Sequence, residues 1–262
     1  MSVDTAQAAQ TIAGVERALD VLSLFANDEV HDLGVTEVAD RLGLSKAVVH
    51  RILSSLRVKG YVALDEGNRR YALGPAALTL GLSYLNRVDV EDVARSGLRE
   101  IVDRTNETAT QSVRTGFKRV YVAQVTPSRD IKMVVQLGSA FPLHAGASSK
   151  AFLAFLPDEL REAYFEHSFE RLTAQTITDP RKLERDLTAV HKRGYAISYG
   201  ERQAGAGSVA APIFDHTGAP VSVLSVCGPV ERFRSETDRC AEVIVDVTHR
   251  LSHRLGWRDG EH

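Results

Sequence analysis

Residues 36–60, TEVADRLGLSKAVVHRILSSLRVKG, restrict what this chain can fold into more than any other stretch. Two short helical patterns meet at Gly43. Thr36 is expected to cap the first helix, because a threonine oxygen accepts a backbone N–H that the first turn leaves unpaired. Gly43 suits the position just past that helix, where the chain must turn left-handed. Ser45 is then expected to cap the second helix. Within it Val49, Ile52, Leu53 and Leu56 fall at i, i+3, i+4 and i+7 and share one apolar stripe. Lys46, His50, Arg51 and Ser54 lie off the stripe and face outward. Helix, short glycine turn, helix is the helix-turn-helix arrangement, whose second helix enters the DNA major groove.

The flanks extend this reading. In residues 14–26 (GVERALDVLSLFA), Val15, Ala18, Leu19, Leu22 and Phe25 fall on one predicted helical face, against which the pair can pack. After Gly60 comes YVALDEGNRRYAL, two β-prone runs about an Asp-Glu-Gly-Asn turn, a hairpin signal. Three helices followed by a hairpin is the order of a winged helix-turn-helix. From 41 to 73 there are seven basic residues against two acids, Asp65 and Glu66, whereas the whole chain carries −2. A local basic patch in a near-neutral protein is the footprint of phosphate contacts. The competing reading, an amphipathic hairpin with a solvated charged face, explains each feature singly but not their coincidence.

A chain of 262 residues suggests one large or two ordinary domains, and 44% hydrophobic with 25% charged residues fits a folded, water-soluble protein. No apolar run approaches the ~18 residues of a membrane span, so no membrane partner is expected. The N-terminus MSVDTAQAAQT has no basic and apolar signal regions, and residues 1–10 are read as a disordered leader. Two cysteines, Cys227 and Cys240, fit a reducing compartment rather than a disulfide framework. The nine histidines are scattered without zinc spacing. No metal and no cofactor is expected, and the location is expected to be cytoplasmic, at the nucleoid.

Pro75 fits the first turn of a connecting helix over 74–88, PAALTLGLSYLNR, which carries more apolar surface than a linker needs. A DNA-reading helix pair usually serves two half-sites through a two-fold dimer, so this helix is assigned to a dimer contact. A helix over 89–106 is expected to place Val93, Leu98, Ile101 and Val102 inward. Three β-prone runs follow: TATQSVRT, RVYVAQV and IKMVVQL. A loop leads to HAGASSKAFLAFL, small at first and then an apolar helix. Helical patterns return at 157–167 and at 180–193. YAISYG, SVAAPIF and VSVLSVCG then read as strands, and 235–256 as a long helix. Six strands with helices before, between and after give an α+β domain with a largely antiparallel sheet.

Several catalytic patterns fail on context. Gly205-Ala-Gly207-Ser-Val-Ala210 matches G-x-G-x-x-A, but a dinucleotide site needs a helix after it, and a strand follows. Ser148-Ser149-Lys150 lacks the S-x-x-K spacing of a serine–lysine nucleophile. There is no phosphate loop and no G-x-S-x-G. What remains is quieter. Ser148 and Ser149 stand at a helix start, where free N–H groups favour anions. Ser198, Ser208, Ser225 and Cys227 are small polar residues in otherwise apolar strands, and alternation puts Ser225 and Cys227 on one face. Convergent polar groups in an apolar pocket describe a small-molecule site; the plain alternative is a set of hydrogen-bonded core residues.

With these residues in hand, the sequence resembles the IclR-type transcriptional regulators from Val15 to about Leu255. The resemblance rests on ERALDVL, LSKAVVHRIL, YALGP, PLHAGASSKAFLAFLP, RGYAISYGE, SVAAPIFD and SVCGP, in that order. It implies a winged helix-turn-helix over 11–73, a linker helix over 74–88 and a GAF-like effector-binding domain over 89–258. It implies a homodimer or dimer of dimers on a palindromic operator in double-stranded DNA. The implied effector is a small carboxylate or aromatic acid, contacted by Ala147, Ser148, Ser198, Ser208, Ser225 and Cys227. Three positions depart from the usual pattern: Ser149 where Gly precedes the Lys, Ser198 where many members have Asp, and Val48 where Thr is frequent.

The function expected from sequence is therefore a repressor or activator, not an enzyme, whose operator binding a small organic acid controls. Ser45, Lys46, His50, Arg51 and Ser54 would face the DNA, with Arg51 suited to guanine O6 and N7. Arg69 and Arg70 on the wing would hold phosphates. The alternative is a metabolic enzyme with an appended DNA-binding head.

Overall fold

A computed structural model describes residues 12–25, 31–85 and 90–258. The expected leader over 1–10 and the end of the linker lie outside the described residues. The chain divides into two units, 1–87 and 88–262.

The first unit contains α1 (Ala13–Leu24), α2 (Val35–Leu42), α3 (Lys46–Val58), the hairpin β1 (Val62–Asp65) and β2 (Arg70–Leu73), and α4 (Pro75–Leu85). Gly43 ends α2 at φ 63°, and the Ser45 side chain accepts from Val48 N, so the turn forms as its residues dictate. Thr36 does not cap α2. The helix starts two residues earlier than that cap would give, at Val35, with Gly34 at the cap and no side-chain cap bond. Leu33 pairs with Tyr71 of the wing, and this bridge sets where α2 begins.

The α1 face also differs from expectation. Val21 and Phe25 are buried while Val15 and Leu19 are 53% and 56% exposed. The apolar residues of α1 span a wide arc, with Glu16, Asp20 and Ser23 opposite, so spacing alone left open which part of the arc is buried. Val21, Phe25, Leu33, Val38, Val49, Leu53, Leu56, Val62 and Tyr71 form one small core, with Ile52 packed at its edge. At Gly74 the chain leaves the wing against the end of α3. A Cβ there would stand 2.3 Å from the Gly60 carbonyl oxygen, so only glycine fits.

The second unit holds α5 (Val90–Thr105), β3 (Thr108–Thr115), β4 (Lys118–Val125), β5 (Ala140–Pro142), α6 (Ala147–Ala154), α7 (Asp158–Phe165), α8 (Pro180–Arg193), β6 (Ala196–Tyr199), β7 (Ala206–Phe214), β8 (Pro220–Pro229) and α9 (Val230–Arg254). Its six strands run in the order β5-β4-β3-β8-β7-β6, all antiparallel. Two cores sandwich the sheet. Val209, Ala211, Ile213, Leu224 and Val226 face α5 and α9, with Leu98, Ile101, Phe233, Ile244 and Val247. Ala196, Ala210 and Val223 face α6 and α8, with Ala147, Ala151, Phe152, Leu183 and Leu187. The period of two along each strand divides these sets.

Two elements depart from expectation. IKMVVQL is not a strand; β5 is the three-residue Ala140–Pro142 segment instead. Side chains take the place of a ladder along the run. The Gln124 amide bonds both N–H and C=O of Val135, and Thr108 Oγ1 donates to Met133 O. Helix α9 starts five residues before the expected 235, directly after Pro229, with Phe233 fully buried. No helix among the described residues is long and apolar enough to cross a membrane.

A DNA-reading helix and a buried two-arginine cavity

On α3, Arg51 lies midway between buried Val49 and Leu53 along the chain, and the helical turn points it away from the core. Lys46, His50 and Arg51 are exposed, as is Ser45 at the cap; Ser54 is half-buried. The side chains of Lys46 and Arg51 bond no other described residue. They are therefore the cations of this helix that remain available to an anionic partner.

The wing arginines divide. Arg69 sits at φ 59° on the hairpin turn, exposed, and pairs with Glu66 at 2.9 Å. Arg70 turns inward: its Nε donates to Asp32 Oδ1 at 2.5 Å and a terminal nitrogen to Glu37 Oε2 at 2.9 Å. These bonds, with the charges behind them, raise the Arg70 pKa. Two carboxylates already compensate this guanidinium, so the expected phosphate contact is revised to a structural one, joining wing to α2. Asp32 and Glu37 lie before residue 41, outside the window whose charge was counted.

In the second unit one cavity opens at the start of α6. Ala147, Ser148, Ser198, Ser208, Ser225 and Cys227, expected from different elements, all line it. Sheet register explains the gathering: Ser198 pairs with Ser208, and Ser208 with Cys227, across three adjacent strands. Ser225 Oγ meets Thr110 Oγ1 at 2.6 Å on the next strand. Ser148, Ser198 and Ser208 have no hydroxyl bond to another described residue. Burial pushes the Cys227 thiol up to about 12, so it stays protonated and inert at neutral pH.

The sequence reading missed the charges in this cavity. Arg119, on β4, is 1% exposed. Its Nε donates to Ser149 Oγ at 3.0 Å and another nitrogen to Ser112 Oγ at 3.2 Å. Its guanidinium lies 3.9 Å over the Tyr121 ring. Burial lowers its pKa, and no carboxylate is among the causes. Arg202 and Glu201 also line the cavity.

Glu201 does not neutralise Arg119. Its Oε1 receives Lys150 Nζ at 2.6 Å and its Oε2 receives Gly146 N at 3.1 Å. Lys150 also lies 2.7 Å from Asp186 Oδ2. Burial raises the Glu201 pKa despite Lys150. These three side chains tie α6, α8 and the turn after β6 together. Lys150 is thus committed to two acids, which removes it as a partner for a serine nucleophile. Gly207 lies near the start of strand β7, not of a helix, which removes the dinucleotide fingerprint. Among the described residues no group of three or more His, Cys, Asp or Glu side chains could hold a metal.

Comparison with known proteins agrees with both units. Residues 14–66 match the IclR helix-turn-helix domain and residues 82–253 the bacterial transcriptional regulator IclR C-terminal domain. The chain is 32% identical over 249 residues to the HTH-type transcriptional regulator BhcR of Paracoccus denitrificans, covering 94% of this chain and 88% of that one. It is 32% identical to the glycerol operon regulatory protein of Streptomyces coelicolor, covering 95% and 98%. A putative IclR regulator from Silicibacter sp. TM1040 superimposes with a TM-score of 0.85 at 27% identity, covering 94% and 97%. These relatives are regulators rather than enzymes, and the chain belongs to the IclR family of DNA-binding transcriptional regulators.

Proposed function

We propose that this regulator binds a palindromic operator and that a small organic acid in the α6 cavity sets its affinity for that operator. The observation that carries the effector reading is Arg119, a buried guanidinium beside a cavity, bonded only to neutral side chains among the described residues. A buried charge without a counter-ion is costly, and an anionic ligand relieves that cost. Ala147, Ser148, Ser198, Ser208, Ser225 and Cys227 supply the rest of the wall. On the DNA, Ser45, Lys46, His50, Arg51 and Ser54 face the major groove, and Arg69 reaches a phosphate once it leaves Glu66. A ligand shifts operator affinity only by binding one arrangement of the reading heads better than another.

A homodimer, or a dimer of dimers, supplies the two reading heads. Leu78, Leu80 and Leu82 of α4 are 65%, 61% and 48% exposed. A run of exposed leucines on one short helix marks an association surface. The reading places the protein at the nucleoid. Its test is selection of host genomic fragments by the purified protein, followed by titration of the enriched site with candidate acids. A palindromic site released or tightened by an acid supports the reading; an enriched site indifferent to every acid removes its effector half.

A further inference from the structure

At the tip of the wing one carboxylate lies between two arginines. Glu66 Oε2 accepts from Arg69 at 2.9 Å, and Glu66 Oε1 lies 3.7 Å from a terminal nitrogen of Arg57. Arg57 belongs to the last turn of α3 and Arg69 to the hairpin turn. Neither guanidinium meets another acid among the described residues. The side chains of Arg57, Glu66 and Arg69 are 52%, 67% and 73% exposed. Ion pairs this exposed contribute little to stability and open easily.

The Glu66 side chain takes no part in shaping the turn. Asp65 Oδ1 accepts from Gly67 N at 2.8 Å, Asn68 Oδ1 from Arg70 N at 2.9 Å, and Asp65 O from Arg69 N at 2.9 Å. Those bonds close the hairpin by themselves. Arg69 sits at φ 59°, left-handed backbone that a Cβ makes costly and that glycine or asparagine takes more readily. A backbone cost kept at an exposed tip points to a task for the side chain carried there.

A carboxylate and a DNA phosphodiester offer arginine the same target, one negative charge spread over two outward oxygens. In the free protein each Glu66 oxygen faces one guanidinium. Resting on the reading of the wing as a DNA contact, we infer that Arg57 and Arg69 form one seat for a single backbone phosphate, and that Glu66 fills this seat until DNA displaces it. Arg57 thereby joins the DNA-contacting residues, at the end of α3 opposite its base-reading turns. A phosphate contact carries no sequence, so the seat serves every duplex alike. Glu66 lowers the affinity for all of them by occupying it.

The test is fluorescence anisotropy of a random-sequence duplex with the full-length protein at several salt concentrations, which needs neither operator nor effector. Arg57→Gln and Arg69→Gln are each expected to weaken binding about threefold or more. The double variant is expected to lower the slope of log affinity against log salt by about one, the value for one phosphate. Glu66→Gln is expected to tighten binding about two- to fivefold and to leave the melting temperature unchanged. That gain is expected to vanish in the double-arginine background, where nothing is left to release. A gain that persists there overturns the filled seat, since Glu66 then only repels the DNA. A Glu66→Gln variant that melts earlier and binds more weakly overturns it too, as a structural clasp. A slope that falls by about two, or undiminished binding in Arg57→Gln, overturns the shared seat and leaves Arg69 as a DNA contact. Binding unchanged in both arginine variants but weakened by Lys46→Ala overturns this inference and the wing contact together, and leaves the α3 reading standing.

Discussion

Arg119 Nε donates to Ser149 Oγ at 3.0 Å, so a charge on β4 is held by the residue that precedes Lys150 in α6. A glycine at this position would have no side chain to accept the bond. Ser149→Gly is expected to cost about 1.5–3 kcal/mol, the value of a hydrogen bond to a charged group. In an Arg119→Met background the same change costs much less, because its partner is gone. Urea unfolding of the four proteins of this cycle checks the coupling.

In the proposed complex Arg51 would read a base and Lys46 would hold a phosphate. Arg51→Ala is expected to cost about 1–3 kcal/mol on the operator and little on random DNA. Lys46→Ala, if it meets a phosphate, weakens both about equally and reduces the slope of log affinity against log salt by about one. Fluorescence anisotropy at several salt concentrations separates the two. Equal losses on operator and random DNA in Arg51→Ala contradict a base contact.

The neighbouring wing arginines answer differently. Arg70 is bonded to Asp32 and Glu37, so Arg70→Ala is expected to lower the melting temperature of the first unit. Arg69→Ala leaves stability nearly unchanged and weakens DNA binding, because Arg69 pairs only with exposed Glu66. Circular dichroism melts beside binding titrations test both.

Acid should loosen the second unit through His144. Burial lowers its pKa below the ordinary 6.5. Its Nε2 lies 2.8 Å from the Glu170 carbonyl and its Nδ1 2.7 Å from the Tyr164 hydroxyl. A carbonyl accepts only, so this network assigns the proton to Nε2 of a neutral ring. Below pH 6.5 the unfolded chain binds a proton that the fold refuses. The stability is therefore complete above pH 6.5 and lost as pH falls from there toward the depressed folded value. His144→Gln is expected to flatten the fall in melting temperature between pH 7 and 5.

The proposed association rests on the exposed leucines of α4. Leu78→Glu with Leu82→Glu, one turn apart on that helix, is expected to yield a monomer by light scattering where the wild type gives a dimer or larger. An unchanged mass removes α4 from the contact.

The sequence made some of this legible, and the gaps have physical causes. Gly43 and Ser45 act through their own backbone and nearest turn, so the helix pair could be read locally. The α1 phase could not, because its apolar arc is wider than the face the core covers, and the core chose Val21 over Val15 and Leu19. IKMVVQL has strand composition, but Gln124 supplies bonds that a neighbouring strand would have given. Ser198, Ser208, Ser225 and Cys227 were reachable because small polar residues stand out in apolar strands, and Ser148 because it opens a helix; Ala147 came only with the family resemblance. Arg119 did not stand out: within RVYVAQV it reads as an ordinary solvent-facing residue. Its burial depends on Ser149, 30 positions later. The Arg70 contacts reach back 33 and 38 positions, beyond any window of local charge.

The central claim is that an acid held at Arg119 controls operator binding. The most direct measurement is the apparent Kd for the selected operator with and without a candidate small organic acid, in wild type and in Arg119→Met. The account predicts a change in the wild type that requires far more acid in the variant. An operator affinity that the acid leaves unchanged in the wild type, or changes equally in both proteins, would contradict it.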